Sequence, residues 1–318
     1  MNYNYVTLYN YNAWSIDSYT DEIDKNKREG FTDMMRIRVF TDWGTPESIR
    51  DTIETEFSLH IVPGYKTTFE LTAGDDYTHA FVINTYMPSL SIPKERVIGL
   101  AWEPPSNSLL HINSTFIDYV QLRMHRYLLG SKNGLPHPFE EGYAFLNHNP
   151  IQDSIPLKTK RCSMIFSQKG FMEGHIYRNE LVHAILQTDL PVDIWGRGCK
   201  TVSSDPRLRG EFEQDSILPY EDYQFHICIE NHYSDHYFSE KIVNALLSEC
   251  TPIYYGCRKI NDYFPKHILS LVGNVKDDIE IIQECLTYPE KYQKQINRKH
   301  IHEITNPFVQ LHKLFNIS

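Results

Sequence analysis

The stretch Tyr223-Gln-Phe-His-Ile-Cys-Ile229, followed at once by Glu230-Asn231, decides how the second half of the chain folds. Its apolar residues predict a buried strand, and the spacing after it predicts a helix over about 238–247. The run Thr251-Pro-Ile-Tyr-Tyr-Gly256 then predicts a second strand. A strand, a helix and a strand at this spacing indicate a parallel sheet with crossover connections.

The same alternation extends in both directions from this stretch. Residues 161–167 and 192–195 predict strands, and a helix over 176–186 lies between them after a loop at 170–174. Two further helices are expected over about 276–285 and 288–300. The second half is therefore expected to form one αβ domain.

The first half of the chain also alternates predicted strands with a predicted helix, but its hydrophobic pattern is less regular. Strands are predicted at 35–40, 80–84 and 96–102, and Pro46 opens a helix over 46–53. Residues 130–160 are rich in glycine and proline and predict a linker. We therefore expect two domains, residues 1–150 and residues 151–318, each an α/β unit.

Composition excludes several classes of protein. The 318 residues are 41% hydrophobic and 13% aromatic, which excludes a disordered chain. The net charge of −10 argues against nucleic-acid binding, which needs clustered Lys and Arg. No window of eighteen apolar residues predicts a membrane span, and the first residues do not resemble a secretory signal. We expect a cytoplasmic protein, soluble or peripherally membrane-associated, whose six cysteines are reduced thiols rather than a zinc site.

Polar side chains follow three of the predicted strands in the second half. In open α/β sheets ligands bind beyond the carboxyl ends of strands, and phosphates bind at helix N-termini. The loops concerned contain Gln168-Lys169-Gly170 with Arg178 on the next helix, Gly196-Arg197-Gly198, and the run from Glu230 to Lys241. Gly196-Arg197-Gly198 also fits a plain turn, because Thr201 stands where a dinucleotide fingerprint has its third glycine.

Of the three loops, the run from Glu230 to Lys241 contains the most polar and charged side chains. If its helix starts near Asp235, then Tyr237, Glu240 and Lys241 share one helical face. Lys241 would then offer a cation to a diphosphate, and Glu240 would accept hydrogen bonds from sugar or ribose hydroxyls. A solvated Glu–Lys pair on an amphipathic helix is the alternative.

Nothing in the sequence predicts a metal centre. No two aspartates stand two positions apart, so the chain lacks the motif that holds a divalent cation on a nucleotide. His232 and His236 are four residues apart, but no metalloprotease-type motif surrounds them.

Together these motifs resemble glycosyltransferase family 10, the α-1,3-fucosyltransferases. The similarity rests on 223–231, on Tyr237-Phe-Ser-Glu-Lys-Ile-Val-Asn-Ala-Leu246 and on 251–256, and it extends over about 160–265. In the first half it rests on Glu103-Pro104-Pro105-Ser106 after an apolar strand. The chain departs from the family pattern at Ile229, His232, Phe238-Ser239 and Pro104.

The resemblance implies a GT-B fold, in which two Rossmann-like αβ domains face each other across a cleft. It implies that residues 1–150 bind the acceptor, an oligosaccharide or glycoconjugate, and that residues 151–318 bind GDP-fucose. The implied reaction is an inverting transfer, with α-1,3 linkage, that requires no cofactor and allows stimulation by Mn²⁺ or Mg²⁺. The matching positions are Glu103 as general base and, as donor-binding residues, Arg178, Arg197, Asn231, Tyr237, Glu240 and Lys241.

Two alternatives remain at this stage. A transferase of the same fold could use another nucleotide sugar, because the sugar is read by pocket shape and hydroxyl contacts. A non-catalytic glycan- or nucleotide-binding protein is the other. Trp43 and Trp102 could stack on acceptor sugar rings or pack in the core.

Overall fold

Two parallel β-sheets dominate the computed structural model, which describes residues 34–58, 68–104, 110–142, 157–213 and 216–315. The strands of the first sheet are β1 (Met35–Phe40), β2 (Phe69–Leu71), β3 (His79–Ile83), β4 (Val97–Leu100), β5 (Arg126–Leu129) and β6 (Phe139–Glu141). Those of the second are β7 (Lys160–Ile165), β8 (Val192–Trp195), β9 (Leu208–Gly210), β10 (Tyr223–Ser234), β11 (Thr251–Cys257) and β12 (Leu269–Ser270). The sheet orders are β2-β1-β3-β4-β5-β6 and β12-β11-β10-β7-β8-β9.

Helices connect these strands and cover both sheets. They are α1 (Pro46–Ser58), α2 (Ser114–Arg123), α3 (Glu173–Leu186), α4 (Leu218–Glu221), α5 (Glu240–Leu247), α6 (Ile260–Tyr263), α7 (Val275–Thr287), α8 (Pro289–Tyr292), α9 (Arg298–Thr305) and α10 (Pro307–Leu314). Every strand pair in both sheets is parallel, so the predicted α/β architecture is confirmed.

Successive residues of each central strand are buried on opposite faces. In β3, Phe81 and Ile83 belong to one core cluster, whereas Ala80 and Val82 belong to the cluster on the other face. In β10, residues 225, 227 and 229 pack on one side and Cys228 on the other. Full burial of a large apolar side chain stabilises the fold by about 1.5–3 kcal/mol. Because both faces of these strands are buried, their amino-acid sequences are nearly continuous apolar runs.

The last helix returns to the first sheet. Phe308 and Leu311 of α10 join the cluster that contains Ile37, and the Phe308 ring stacks on Phe69 with centroids 5.9 Å apart. Residues 307–314 therefore lie with the first sheet, which differs from the expected assignment of all of 151–318 to the second domain. The apolar spacing of α10 shows that the helix is buried but not which sheet it covers.

Two other sequence predictions are corrected by the structure. The expected helix over 288–300 is two helices, because the Asn297 side chain accepts a hydrogen bond from His300 N and caps a new helix, α9. The expected linker over 130–160 begins later, since β6 pairs with β5 and extends the first sheet to Glu141. Residues 143–156 of that linker lie outside the described residues.

All six cysteines are buried and free, as expected. Within the part of the chain that the structure describes, no helix has the length and apolar character needed to span a bilayer.

Candidate functional site at the facing sheet edges

The carboxyl ends of parallel strands lie along one edge of a sheet, and here the two such edges contact each other. After β5, the carbonyl of Gly130 accepts a hydrogen bond from His236 N at 2.9 Å, and Ser131 Oγ accepts one from Asp235 N at 3.4 Å. A Cβ atom added at Gly130 would lie 2.7 Å from Tyr237 Cβ. Glycine is therefore required for this close approach between the two halves.

A buried carboxylate keeps the segment after β10 out of the following helix. Glu230 is 1% exposed, and its side chain accepts hydrogen bonds from Ser239 N at 2.9 Å and Ser239 Oγ at 2.6 Å. Ser239 is the N-cap of α5, so the helix begins at Glu240. The expectation of a helix from Asp235, with Tyr237 on the same helical face as Glu240 and Lys241, is therefore wrong. Tyr237 instead lies in the non-helical segment that precedes Ser239.

Lys241 is held among carboxylates at the start of α5. Its Nζ donates to Glu240 Oε1 at 2.9 Å and to Ser239 Oγ at 3.0 Å, and lies 3.9 Å from Glu230 Oε2. Burial opposes the charge on the ammonium, but Glu240 and Glu230 outweigh it and raise the pKa of Lys241. The side chain is 20% exposed. Lys241 is thus a cation at neutral pH that is held in place by hydrogen bonds and remains partly exposed.

Arg178 and Asn231 meet at the end of β10. The Arg178 guanidinium is buried and donates from Nη2 to the carbonyl of Ile229 and to Asn231 Oδ1, the latter at 3.0 Å. The helix that carries Arg178 approaches closely because Gly174 lies in its first turn. A Cβ at Gly174 would lie 1.9 Å from the carbonyl oxygen of Glu230. The N-terminus of α3 therefore packs directly against the end of β10.

We refer to Arg178, Glu230, Asn231, Tyr237, Ser239, Glu240 and Lys241 as the strand-end cluster. Tyr237 is 4% exposed, and burial, followed by the charges of Glu230, Glu240 and Glu103, raises its pKa. It therefore lies where groups from both sheets act on it.

Glu103 lies on the opposite edge, just after β4. One side-chain oxygen of Asn84 accepts hydrogen bonds from Trp102 N at 2.8 Å and from Glu103 N at 3.1 Å, which fixes the turn. Burial is the largest cause of the raised pKa of Glu103, and the nearby charges of Lys241, Glu240 and Lys169 also act on it. All three charges belong to the second half of the chain. Pro105 and Ser106 of the sequence motif lie outside the described residues.

The structure thus brings together six of the seven predicted site residues. Arg197 follows β8 at the same edge of the second sheet, but it is exposed, and no described contact joins it to the strand-end cluster. Its loop is a tight turn in which Gly198 has a φ of 76°. Both the plain-turn interpretation and a contact with a bound ligand fit this position.

Sequence reasoning missed two residues that shape the site. Asn84, which fixes the Glu103 turn, ended a predicted strand and gave no other signal. His175, in the first turn of α3, is 2% exposed. Burial, followed by the charges of Arg178, Lys169 and Lys241, lowers the pKa of His175 to about 4, so the ring is neutral at neutral pH.

In this arrangement a carboxylate on the first sheet, Glu103, lies across from two cations on the second sheet, Lys241 and Arg178. A half-buried carboxylate with a raised pKa can accept a proton from a hydroxyl group. Cations at the end of a strand and at the start of a helix can stabilise a departing anion. Across the described residues, no group of three or more His, Cys, Asp or Glu side chains is placed to hold a metal ion.

Comparison with known proteins agrees with this geometry. Residues 155–287 match the model of glycosyltransferase family 10 (fucosyltransferase), C-terminal region. A protein of Acanthamoeba polyphaga mimivirus named "putative fucosyltransferase" is 29% identical over 161 residues. That match covers 48% of this chain and only 25% of the mimivirus protein.

Solved structures show the same fold. The crystal structure of an α1,3-fucosyltransferase with GDP-fucose superposes with a TM-score of 0.54 at 15% identity, covering 91% of this chain and 92% of that one. An α1,3-fucosyltransferase with GDP gives a TM-score of 0.50 at 17% identity, covering 81% and 79%. The two facing sheets therefore form a GT-B fold, and residues 155–287 of this chain are similar to the C-terminal region of glycosyltransferase family 10, the fucosyltransferase family.

Proposed function

We propose that the chain is an inverting fucosyltransferase that moves fucose from GDP-fucose to a hydroxyl group of a glycan acceptor, in α-1,3 linkage. The observation that carries the proposal is that the sheet edge bearing Glu103 meets the edge bearing Lys241, where the carbonyl of Gly130 accepts a hydrogen bond from His236 N at 2.9 Å. The charge of Lys241 accordingly acts to lower the pKa of Glu103. An acceptor bound on the first sheet and a donor bound on the second would meet between these two groups. The solved relatives with GDP and with GDP-fucose support this choice of nucleotide.

In this mechanism Glu103 acts as the general base. It removes the proton of the acceptor hydroxyl as the oxygen attacks the anomeric carbon of fucose. The bond from that carbon to the diphosphate breaks on the opposite face, which inverts the configuration. The proton then passes from Glu103 to solvent. The half-buried position of Glu103 favours this role, because partial burial raises its pKa and makes the carboxylate a stronger base.

The strand-end cluster supplies the donor site. Lys241 and Arg178 offset the negative charge that develops on the leaving GDP. Glu240, at the first position of α5, is placed to accept hydrogen bonds from ribose hydroxyls, and Asn231 and Tyr237 line the path between the two edges. We assign Arg197 to the distal part of the nucleotide, because it lies in an exposed turn at the same sheet edge. We propose that transfer requires no metal, since Lys241 and Arg178 would supply two cations to a diphosphate bound at this edge.

The six buried, unpaired cysteines support a reducing compartment such as the cytoplasm. The acceptor proposed is an oligosaccharide or glycoconjugate. A protein of this fold that uses another nucleotide sugar is distinguished by the experiment below.

Transfer is tested by incubating the full chain with GDP-fucose, GDP-mannose or UDP-glucose and a panel of fluorescently tagged oligosaccharides, with EDTA or with Mn²⁺. The proposal expects a product one deoxyhexose heavier, from GDP-fucose only, and formed with EDTA present. An α-fucosyl product by NMR is expected, since GDP-fucose has the β configuration. Transfer from UDP-glucose or GDP-mannose instead would overturn the donor assignment, and no transfer across the panel would overturn the enzymatic function.

A further inference from the structure

A pair of stacked tryptophans lies beside the candidate base. The Trp43 and Trp102 rings are 5.0 Å apart and inclined by 12°, so they lie face to face. Trp102 is half-buried against the core of the first sheet, whereas Trp43 is 43% exposed although Trp102 covers one of its faces. Trp102 therefore has the packing role and Trp43 presents an open aromatic surface.

Hydrogen bonds fix the backbone on both sides of the platform. Trp43 N donates to Thr41 Oγ1 at 3.3 Å, and the loop ends in α1, where Thr45 Oγ1 accepts from Ser48 N at 3.2 Å. The turn under Trp102 is fixed by Asn84 through the same pair of hydrogen bonds that positions Glu103. An aromatic platform with little freedom to lose binds a ligand at a lower entropic cost.

A polar cavity adjoins this platform. It has a volume of about 250 Å³ and is lined from one side by Thr41 and Gly44 of the Trp43 loop and from the other by Tyr86 and Ser89. Arg38 and Asp75 also line it and form an ion pair at 2.5 Å. Tyr86 is 39% exposed. A flat aromatic surface beside hydroxyl and charged groups matches the chemistry of a pyranose ring, which has an apolar C–H face and a rim of hydroxyl groups.

We propose that the outer face of Trp43 binds a pyranose ring of the acceptor, with the ring's hydroxyl groups directed to the Thr41–Tyr86 cavity. This inference rests on the proposed function and names the subsite of the first sheet that selects the acceptor. Trp102, the partner of Trp43, directly precedes Glu103 in the chain, so the platform and the candidate base lie on the same edge of the first sheet. The ligand class is a saccharide, and Trp43 acts as a binding residue rather than as part of the reacting group.

Saturation-transfer NMR tests this platform. The full chain is mixed with GDP and with methyl β-glycosides of galactose, glucose and N-acetylglucosamine, and saturation of the protein is detected on the sugar C–H protons. Wild-type protein is expected to saturate the ring protons of at least one glycoside. Trp43→Ala should reduce that signal about tenfold, and Trp43→Phe should retain most of it, because an aromatic face remains.

Tyr288→Ala provides the matched control, since Tyr288 is 52% exposed and lies between α7 and α8, away from the platform. It should leave the glycoside signals unchanged. The platform is wrong if no glycoside is saturated by the wild type, or if Trp43→Ala keeps the signal. The GDP protons in the same sample separate the two claims: loss of their signal in the wild type contradicts the proposed function, whereas loss of glycoside signal alone contradicts only the platform.

Discussion

The two facing sheet edges are held in different ways. Along the second sheet, functional side chains are tied to one another: Glu230 holds Ser239, Glu240 and Ser239 hold Lys241, and Asn231 accepts from Arg178. Along the first sheet, Asn84 fixes only the backbone at Glu103, and Trp43 is exposed. If the proposed function holds, the second edge is preorganised for the donor, while the first fixes the backbone of the candidate base and leaves the proposed acceptor surface open. The family match, residues 155–287, falls on the preorganised edge.

The largest effect is expected from the first edge. Glu103→Gln removes the base but keeps the shape of the side chain, so we expect turnover to fall about 10²–10⁴-fold with GDP affinity unchanged. The variant should be at least as stable as the wild type, because burial disfavours the ionised carboxylate that it removes. Glu95→Gln, at an exposed position before β4, is the control for initial-rate assays. Full turnover in Glu103→Gln would place the base elsewhere.

The second-largest effect is expected from a substitution on the edge of the second sheet. Lys241→Ala removes a charged hydrogen-bond donor, and we expect GDP to bind about 10–100-fold more weakly by calorimetry. Lys276→Ala, at an exposed position in α7, should leave the affinity unchanged. Equal affinity in Lys241→Ala and wild type would show that the diphosphate is bound elsewhere.

A smaller effect should come from the contact between the edges. Gly130→Ala places a Cβ 3.1 Å from the backbone of Tyr237, which cannot move aside as a flexible side chain would. The edges must then separate slightly, and we expect kcat to fall about tenfold while GDP affinity stays within twofold. A variant with unchanged kcat and a normal melting temperature would show that the contact plays no part in catalysis.

The smallest effect is a shift in pH dependence. The ionised form of Glu103 is the base, so kcat/KM should rise with pH through its raised pKa, with an inflection above the ordinary value of 4.5. Lys241 lowers that pKa, and a bound diphosphate offsets the charge of Lys241. The inflection in kcat should therefore lie at higher pH than the one in kcat/KM. A profile that is flat from pH 4.5 to 8 in both parameters would contradict this assignment.

The amino-acid sequence predicts the second sheet and its site better than the first. The strands at 161–167, 192–195, 223–229 and 251–256 are buried on both faces, which gives long apolar runs. Short strands such as Phe69–Leu71 and Arg126–Leu129 carry no such run and escaped prediction. The start of α5 is also not predicted by local periodicity, because the buried carboxylate of Glu230, nine residues before Ser239, holds the N-cap and keeps residues 235–239 out of the helix. Similarly, nothing local in the sequence shows that α10 crosses to the first sheet.

The most direct test of the account is the thermal unfolding of the full chain with GDP, GDP-fucose, UDP and UDP-glucose, each with and without EDTA. A ligand that binds only the native state at a hundredfold excess over its dissociation constant stabilises it by about 2.7 kcal/mol. The account predicts stabilisation by GDP and GDP-fucose alone, unchanged by EDTA, retained in Glu103→Gln and weakened in Lys241→Ala. Stabilisation by UDP compounds, or by no nucleotide, would contradict the claim that the second edge is a preorganised GDP-fucose site.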